Sequence, residues 1–358
     1  MSDGAVPRGL SSLPKAHLHL HFTGSLSVPT LQRLADARGV ELPDSLVDTI
    51  ALEVPADKRG WFRFQRLYDL ARSVVQGEAA LRTVVRSAAA EDAAEGSRRL
   101  ELQVDPTSYA ASVGGLAPVL EIVCDEAARA SADTGVQVGI VVAASRVRHP
   151  FDARTLARLA ARHAGQGPGE VCAFGLNNNE WEGDTSEWDG AFRIARRAGL
   201  PGVPHGGELR GPEHLAEVVE HLQPTRVGHG VRAAEDPALL ASMVDAGIAF
   251  EVCPASNVHL GVYRSLADVP LRALMDAGAR IALGADDPLL FLSRLGEQYA
   301  AARDVHQLTD AELAGLARAS IEASFASETD QRRWLAEVDA WLASPAGTRP
   351  AVGSAPPP

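Results

Sequence analysis

Lys15-Ala16-His17-Leu18-His19-Leu20-His21-Phe22-Thr23-Gly24 opens the first strand that the sequence predicts. Side chains in a strand repeat every two residues, so the alternating histidines share a face and bring two or three imidazoles to one spot. Further along stand Pro204-His205-Gly206-Gly207-Glu208, Gly228-His229-Gly230 and Gly284-Ala285-Asp286-Asp287-Pro288, each directly after a short apolar run. If these runs are neighbouring strands of one barrel, three histidines and an aspartate meet at a metal. A glutamate, a histidine and a second aspartate then stand beside it.

Eight such runs recur with helical stretches between them: Ala16–His21, Leu100–Asp105, Val136–Ala143, Val171–Leu176, Gly202–His205, Arg226–Gly228, Ile248–Cys253 and Arg280–Ala285. The intervening helices, such as Gly190–Ala198, Pro212–His221, Pro237–Ala246 and Leu271–Ala277, start near Pro, Gly or Asp and stop at Gly199, Gly247 or Gly278. Alternation of strand and helix implies a parallel sheet, and near-continuous apolar strands imply burial on both faces. Eight units make an α/β fold, a (β/α)8 barrel of the TIM type.

The competing architecture, an open doubly wound sheet, would show a glycine-rich phosphate loop after its first strand, and none occurs there. Polar residues instead fall at the C-terminal ends of nearly every strand, where barrel enzymes build their sites. These are His19/His21, Asp105, Arg146, Asn178/Glu180, His205/Glu208, His229, Asn257 and Asp286/Asp287. The stretch between the first two strands, about residues 25–98, is too long for a simple connection. It carries amphipathic helices at Val28–Arg38, Trp61–Val75 and Glu78–Glu95 and is expected to lie over the barrel mouth as a lid. A single catalytic domain over 11–343 is expected, with residues 1–10 and 344–358 too poor in apolar pattern to pack.

With 358 residues, 46% hydrophobic, the chain can bury a large core. A net charge of −12 and a pI near 5.4 disfavour a nucleic-acid or anionic-membrane partner and favour a small-molecule substrate. Cys124, Cys172 and Cys253 are far apart and form no C-x-x-C pair, so neither a disulfide framework nor a thiolate zinc site is expected. With no signal-peptide pattern and no long apolar run, the sequence reads as cytoplasmic, and it leaves the oligomeric state open.

Zinc takes imidazole nitrogen and carboxylate oxygen, and a catalytic site keeps one position for water. His19, His21, His205 and Asp286 meet that need. His17 lies deeper in the strand and is expected to play a supporting role. The bland alternative is that these histidines are hydrogen-bonded core residues. Three further strand-end residues of the right type argue against it. Glu208, three residues after His205, can deliver a proton if its pKa is raised in the pocket; otherwise it is a helix-start carboxylate. His229, flanked by glycines, can position or deprotonate a water. Asp286 and Asp287 point to different places, so one can hold metal while the other reaches substrate.

Pro14-Lys15-Ala16-x-Leu18-His19-x-His21, His205-x-Gly207-Glu208, Arg226-Val227-Gly228-His229-Gly230, Glu251-Val252-Cys253-Pro254-x-Ser256-Asn257 and Asp286-Asp287-Pro288 resemble, in order, the motifs of the adenosine deaminase family. The resemblance spans roughly residues 13–290 and implies one zinc per chain and hydrolysis of a 6-aminopurine nucleoside to the 6-oxopurine with loss of ammonia. It assigns zinc to His19, His21, His205 and Asp286, proton donation to purine N1 to Glu208, orientation of the attacking water to His229, and a hydrogen bond to purine N7 to Asp287. The H-x-E with P-C-x-x-C pattern of the zinc deaminases that edit nucleic acids is missing.

Three positions depart from the family. Thr23 stands where an Asp usually binds the ribose 5′-hydroxyl, so a substrate altered or extended at that carbon is expected. Leu176-Asn177-Asn178-Asn179-Glu180 replaces a Leu-Ala-Gly-x-Glu run whose glycine lets backbone approach purine N3, which makes Asn178 a substrate-contact candidate of uncertain geometry. Gln103 replaces an Arg of many relatives. These departures resemble a divergent subgroup such as the deaminase of aminodeoxyfutalosine, a menaquinone precursor with an anionic 5′ extension. Its tail would need a cation, and Arg63, Arg66, Arg72, Arg146 and Arg148 are the candidates. Adenosine and 5′-methylthioadenosine stay open as substrates, and free adenine ranks below them. Two other classes compete. The wider amidohydrolase superfamily often uses two metals and a carboxylated Lys on the fourth strand, but Val171–Glu180 contains no Lys. The other is a barrel that binds a purine without turnover.

Overall fold

The computed structural model describes residues 8–47 and 50–345. All eight expected strands are present: β1 (Lys15–His21), β2 (Ser97–Val104), β3 (Gln137–Ser145), β4 (Val171–Asn177), β5 (Gly202–Gly206), β6 (Arg226–His229), β7 (Ala249–Val252) and β8 (Arg280–Leu283). They pair in parallel in sequence order. The ring closes where the His21 amide donates to the Asp286 carbonyl at 3.0 Å and the Asp286 amide donates to the His19 carbonyl at 3.1 Å. An order running from first strand to last and returning to the first is a (β/α)8 barrel and excludes the doubly wound alternative.

Helices coat the outside because each turns an apolar stripe toward the strands. Leu156, Ala157 and Ala160 of helix Pro150–Ala161, like Leu215, Val218 and Leu222 of helix Pro212–Leu222, are fully or almost fully buried at helical spacing. Helix Asp310–Ala323 buries Leu313, Ala317 and Ile321 at the seam between β8 and β1, and the last helix, Glu328–Ala343, packs Trp334 and Val338 onto it.

The long connection after β1 holds helices Val28–Asp36, Asp44–Val47, Lys58–Val74 and Glu78–Ala94. Helix Lys58–Val74 starts at Asp57, whose carboxylate accepts the Gly60 amide at 2.7 Å. The segment before it is pinned to the barrel rim, since the Leu52 amide donates to the Leu290 carbonyl and the Val54 amide to the His259 carbonyl, both at 2.9 Å. Phe64 then stacks on Phe291 at 5.7 Å between ring centroids, which fixes the helix across the barrel mouth.

Residues 1–7 and 346–358, most of the two ends expected to stay unpacked, lie outside the described residues. Next to them, Arg8 pairs with Asp310 at 2.8 Å, and the Trp341 indole donates to the Gly9 carbonyl. Among the described residues no helix is long and apolar enough to cross a membrane.

Candidate active site

The histidine pattern of β1 is interrupted once. Its pairing with β2 shifts register between His17 and Leu20, and such a bulge breaks strict alternation. His17 consequently parts from its neighbours: its Nδ1 donates to Asp92 at 3.0 Å and its Nε2 accepts the Ala285 amide at 3.1 Å. His19 and His21 instead send their Nε2 atoms to one carboxylate oxygen, Asp286 Oδ1, at 3.3 and 3.1 Å. His205, at the end of β5, brings its ring within 4.7 Å of His19 and 5.1 Å of His21 between centroids. Asp286 reaches this point from the barrel seam with φ of 61°, a conformation uncommon outside glycine and one that clusters at functional sites.

The donor set fits a divalent cation. The Nε2 atoms of His19 and His205 are buried without a hydrogen-bond partner, an expensive state for imidazole nitrogens unless something binds them. The His19 Nδ1 proton goes to Glu251, which leaves Nε2 as the free lone pair. Room for the rings comes from Gly228, which pairs with His205 across β5 and β6. A Cβ there would come within 2.7 Å of His205 Cδ2 and 2.9 Å of His19 Cε1.

Around these four residues lie the expected reactive groups. Glu208 is buried, with Oε2 at 3.5 Å from His229 Nε2 and Oε1 unpartnered. Burial, together with the charges of Asp286 and Glu180, pushes its carboxyl well above the usual range. Burial also lowers the His229 imidazole to about 3, so it sits neutral beside Glu208. The neighbouring carboxyls divide. Burial and the Asp286 charge raise Asp287, whereas the imidazoles of His19 and His21 beside it outweigh burial and hold Asp286 well below the usual carboxylate range. Asp287 Oδ1 is likewise buried and unpartnered. One carboxyl that carries a proton next to one that does not is the arrangement acid–base chemistry needs.

Several supporting residues stand in the sequence without any sign of the partners they hold. Glu251 spans from His19 to Arg226, whose Nε donates to its other oxygen at 2.6 Å. Arg226 continues to Glu101 at 2.6 Å. Ser256 donates to Asp286 Oδ2, and the Asn257 amide meets His229 Nδ1 at 3.4 Å. Glu180 binds three consecutive backbone amides of the loop that carries Glu208. Glu251, Ser256 and Asn257 lie within one quoted motif, but nothing in their spacing names their partners.

The pocket above this floor is walled by Trp61, Phe64, Tyr68, Gln103, Tyr109 and Asn178, among others. Asn178 has φ of 77°, so it adopts the left-handed backbone that a glycine would take freely, with its Oδ1 accepting the Asn179 amide. Thr23 does not reach the wall. It is fully buried behind Tyr109, and the two hydroxyls share a hydrogen bond at 2.7 Å. Of the five arginines considered for an anionic tail, only Arg72 lines the pocket, and it is held by Ser108 and Asp69. Arg63 and Arg66 are exposed, and Arg148 is half-exposed at 3.9 Å from Asp105. Arg146 is buried beneath the site, over the Trp188 ring and at 3.4 Å from the His205 carbonyl.

A family profile described as adenosine deaminase matches residues 14–341. A putative adenosine/adenine deaminase of Streptomyces coelicolor is 54% identical over 340 residues, covering 94% of this chain and 98% of that protein. An adenine deaminase of Agrobacterium fabrum is 32% identical over 329 residues, covering 92% and 98%. Among solved structures, the adenine deaminase of Arthrobacter aurescens superposes with a TM-score of 0.84 at 28% identity, covering 93% of this chain and all of that one.

Proposed function

From the premise that this chain belongs to the adenosine deaminase family and is a hydrolase of purine C–N bonds, we propose that its substrate is free adenine. Water would replace the 6-amino group, giving hypoxanthine and ammonia. The observation that carries the choice of base over nucleoside is the Thr23–Tyr109 pair. Where a sugar hydroxyl would look for a charged acceptor, both hydroxyls are buried and already bound to each other at 2.7 Å. Seating a ribose there would break that bond without offering a carboxylate in return. The Agrobacterium and Arthrobacter relatives, both named adenine deaminases, support the same reading.

His19, His21, His205 and Asp286 would hold the metal, and their three imidazoles and one carboxylate suit zinc. When bound, the ion supplies Lewis acidity that makes water nucleophilic near neutral pH. The remaining steps belong to the chain. Glu208, kept protonated by burial, gives its proton to ring N1 and so neutralises the charge that attack at C6 drives into the ring. Neutral His229, with Nε2 facing Glu208 and Nδ1 facing Asn257, orients the attacking water; of that water's two protons, one leaves with the amino group as ammonia and the other restores Glu208. Asp287, which holds its proton, donates to N7. Trp61, Phe64 and Tyr68 cover the purine from the mouth and exclude bulk water.

A second reading, a nucleoside with an anionic 5′ extension such as aminodeoxyfutalosine, is favoured by Arg72 on the pocket wall. The test is the ultraviolet change from aminopurine to oxopurine with zinc-loaded protein and adenine, adenosine, 5′-methylthioadenosine and aminodeoxyfutalosine in parallel. Adenine should show the highest kcat/KM. A preference for any of the nucleosides overturns the free-base reading, and silence on all four overturns purine deamination.

A further inference from the structure

The Glu208 side chain is poorly held for a group that must deliver a proton to one ring atom. Its nearest polar side-chain contact is His229 at 3.5 Å, and its other oxygen has no partner. Proton transfer needs a heavy-atom separation of about 2.6–3.2 Å, so the carboxyl must be aimed by its backbone. That backbone lies in the irregular turn after β5, which begins at Gly207 with φ of 68°. Three successive amides of this turn point at one carboxylate. Glu208 N donates to Glu180 Oε1 at 3.3 Å, and Leu209 N and Arg210 N donate to Glu180 Oε2 at 2.8 and 2.7 Å. Consecutive amides facing one anion form a concave nest. Here the occupant is a fully buried side chain from the turn after β4.

Behind Glu180, the unpartnered His214 Nδ1 stands 4.0 Å from its Oε2, and the buried Arg146 guanidinium offsets part of its charge. Arg146 reaches the His205 carbonyl at 3.4 Å.

We propose that Glu180 is the positioning residue for Glu208, its carboxylate locking the turn at residues 208–210 so that the Glu208 carboxyl faces the substrate ring. The inference rests on Glu208 as the proton carrier, and the test separates the two. Glu180→Gln removes the charge and one acceptor at nearly constant volume. It should lower kcat on adenine by about ten- to a hundredfold, the range typical of supporting groups, while KM and bound metal stay within about twofold. Amide hydrogen exchange in the segment containing 208–210 should accelerate whether or not the enzyme turns over. On a Glu208→Gln background the same change should cost less than about twofold, because a residue acting through Glu208 has nothing left to position.

An unchanged kcat, a parallel loss of KM and metal, or an equal loss on the Glu208→Gln background overturns the proposal. Full activity of Glu208→Gln alone would instead remove the premise. Should Glu180→Gln fail to fold, Glu180→Asp keeps the charge on a side chain one methylene shorter and is predicted to give intermediate kcat with intermediate exchange. Wild-type values in both would again overturn the assignment.

Discussion

Glu251 Oε2 accepts the Nδ1 proton of His19 at 2.8 Å while its Oε1 is gripped by Arg226 at 2.6 Å, so a metal-site imidazole is held by a fully buried ion pair. Glu251 thereby fixes both the tautomer and the ring angle of His19. Glu251→Gln keeps the shape but removes the negative charge, leaving the Arg226 guanidinium partly uncompensated. Zinc affinity is expected to fall by about ten- to a hundredfold, read by competition with a chromogenic chelator. Affinity equal to wild type would mean that His19 needs no carboxylate partner.

The second prediction concerns the space between ligands. Because a Cβ on Gly228 would approach both His205 and His19 within 3 Å, Gly228→Ala must displace at least one ring. The barrel core is otherwise untouched, so the protein should fold, bind zinc at least about tenfold more weakly, and lose activity in proportion. Elemental analysis after dialysis against dilute chelator checks this, and full metal retention would contradict the arrangement of the two histidines.

How much of this could be read from the chain depends on the distance over which each feature is decided. Strand order and the gathering of His19, His21, His205 and Asp286 at one point are legible because they depend on local pattern: an apolar run followed by a polar residue at its C-terminal end. His17 shows the limit of that logic. Its place in the H-x-H-x-H series implies a shared face, but the register shift in β1 sends it to Asp92. The His19–Glu251 bond joins residues 232 apart and the Arg226–Glu101 pair joins residues 125 apart, and no periodicity encodes such partners. Thr23 departs from the family pattern in the sequence, yet its consequence depends on Tyr109, 86 residues later, which carries no motif at all. Asn178 reads as a disruption in sequence and proves to adopt the left-handed backbone that a glycine takes freely.

The third prediction tests the proton carrier. Glu208→Gln retains size and burial but has no proton to give, so kcat should fall by about a hundredfold or more. Zinc stoichiometry should be unchanged, since Glu208 is outside the four residues proposed to hold the metal. The raised pKa also fixes the sign of the pH response. Activity that needs the protonated carboxyl is present below its folded-state pKa and declines as pH rises through it. Retention of wild-type turnover in Glu208→Gln would remove the acid from the mechanism.

The last prediction concerns the wall that separates a base from a nucleoside. Tyr109 packs edge-on against Phe22, with ring centroids 5.2 Å apart, and its hydroxyl ends on Thr23. Burial pushes its phenol well above the usual range, so the hydroxyl stays neutral at any working pH. The ring thus closes the pocket by shape and by occupying the one hydroxyl behind it. Tyr109→Ala deletes both effects and opens volume where a sugar could enter, while the metal ligands, Glu208, His229 and Asp287 are left in place. Adenosine should gain relative to adenine, with the ratio of kcat/KM values rising by about tenfold or more, the scale of one shape contact in a pocket. Tyr109→Phe keeps the ring and frees only the Thr23 hydroxyl, so it should change that ratio much less. Equal ratios in wild type and Tyr109→Ala would place the discrimination elsewhere in the pocket, with Arg72 and Asn178 the next side chains to substitute.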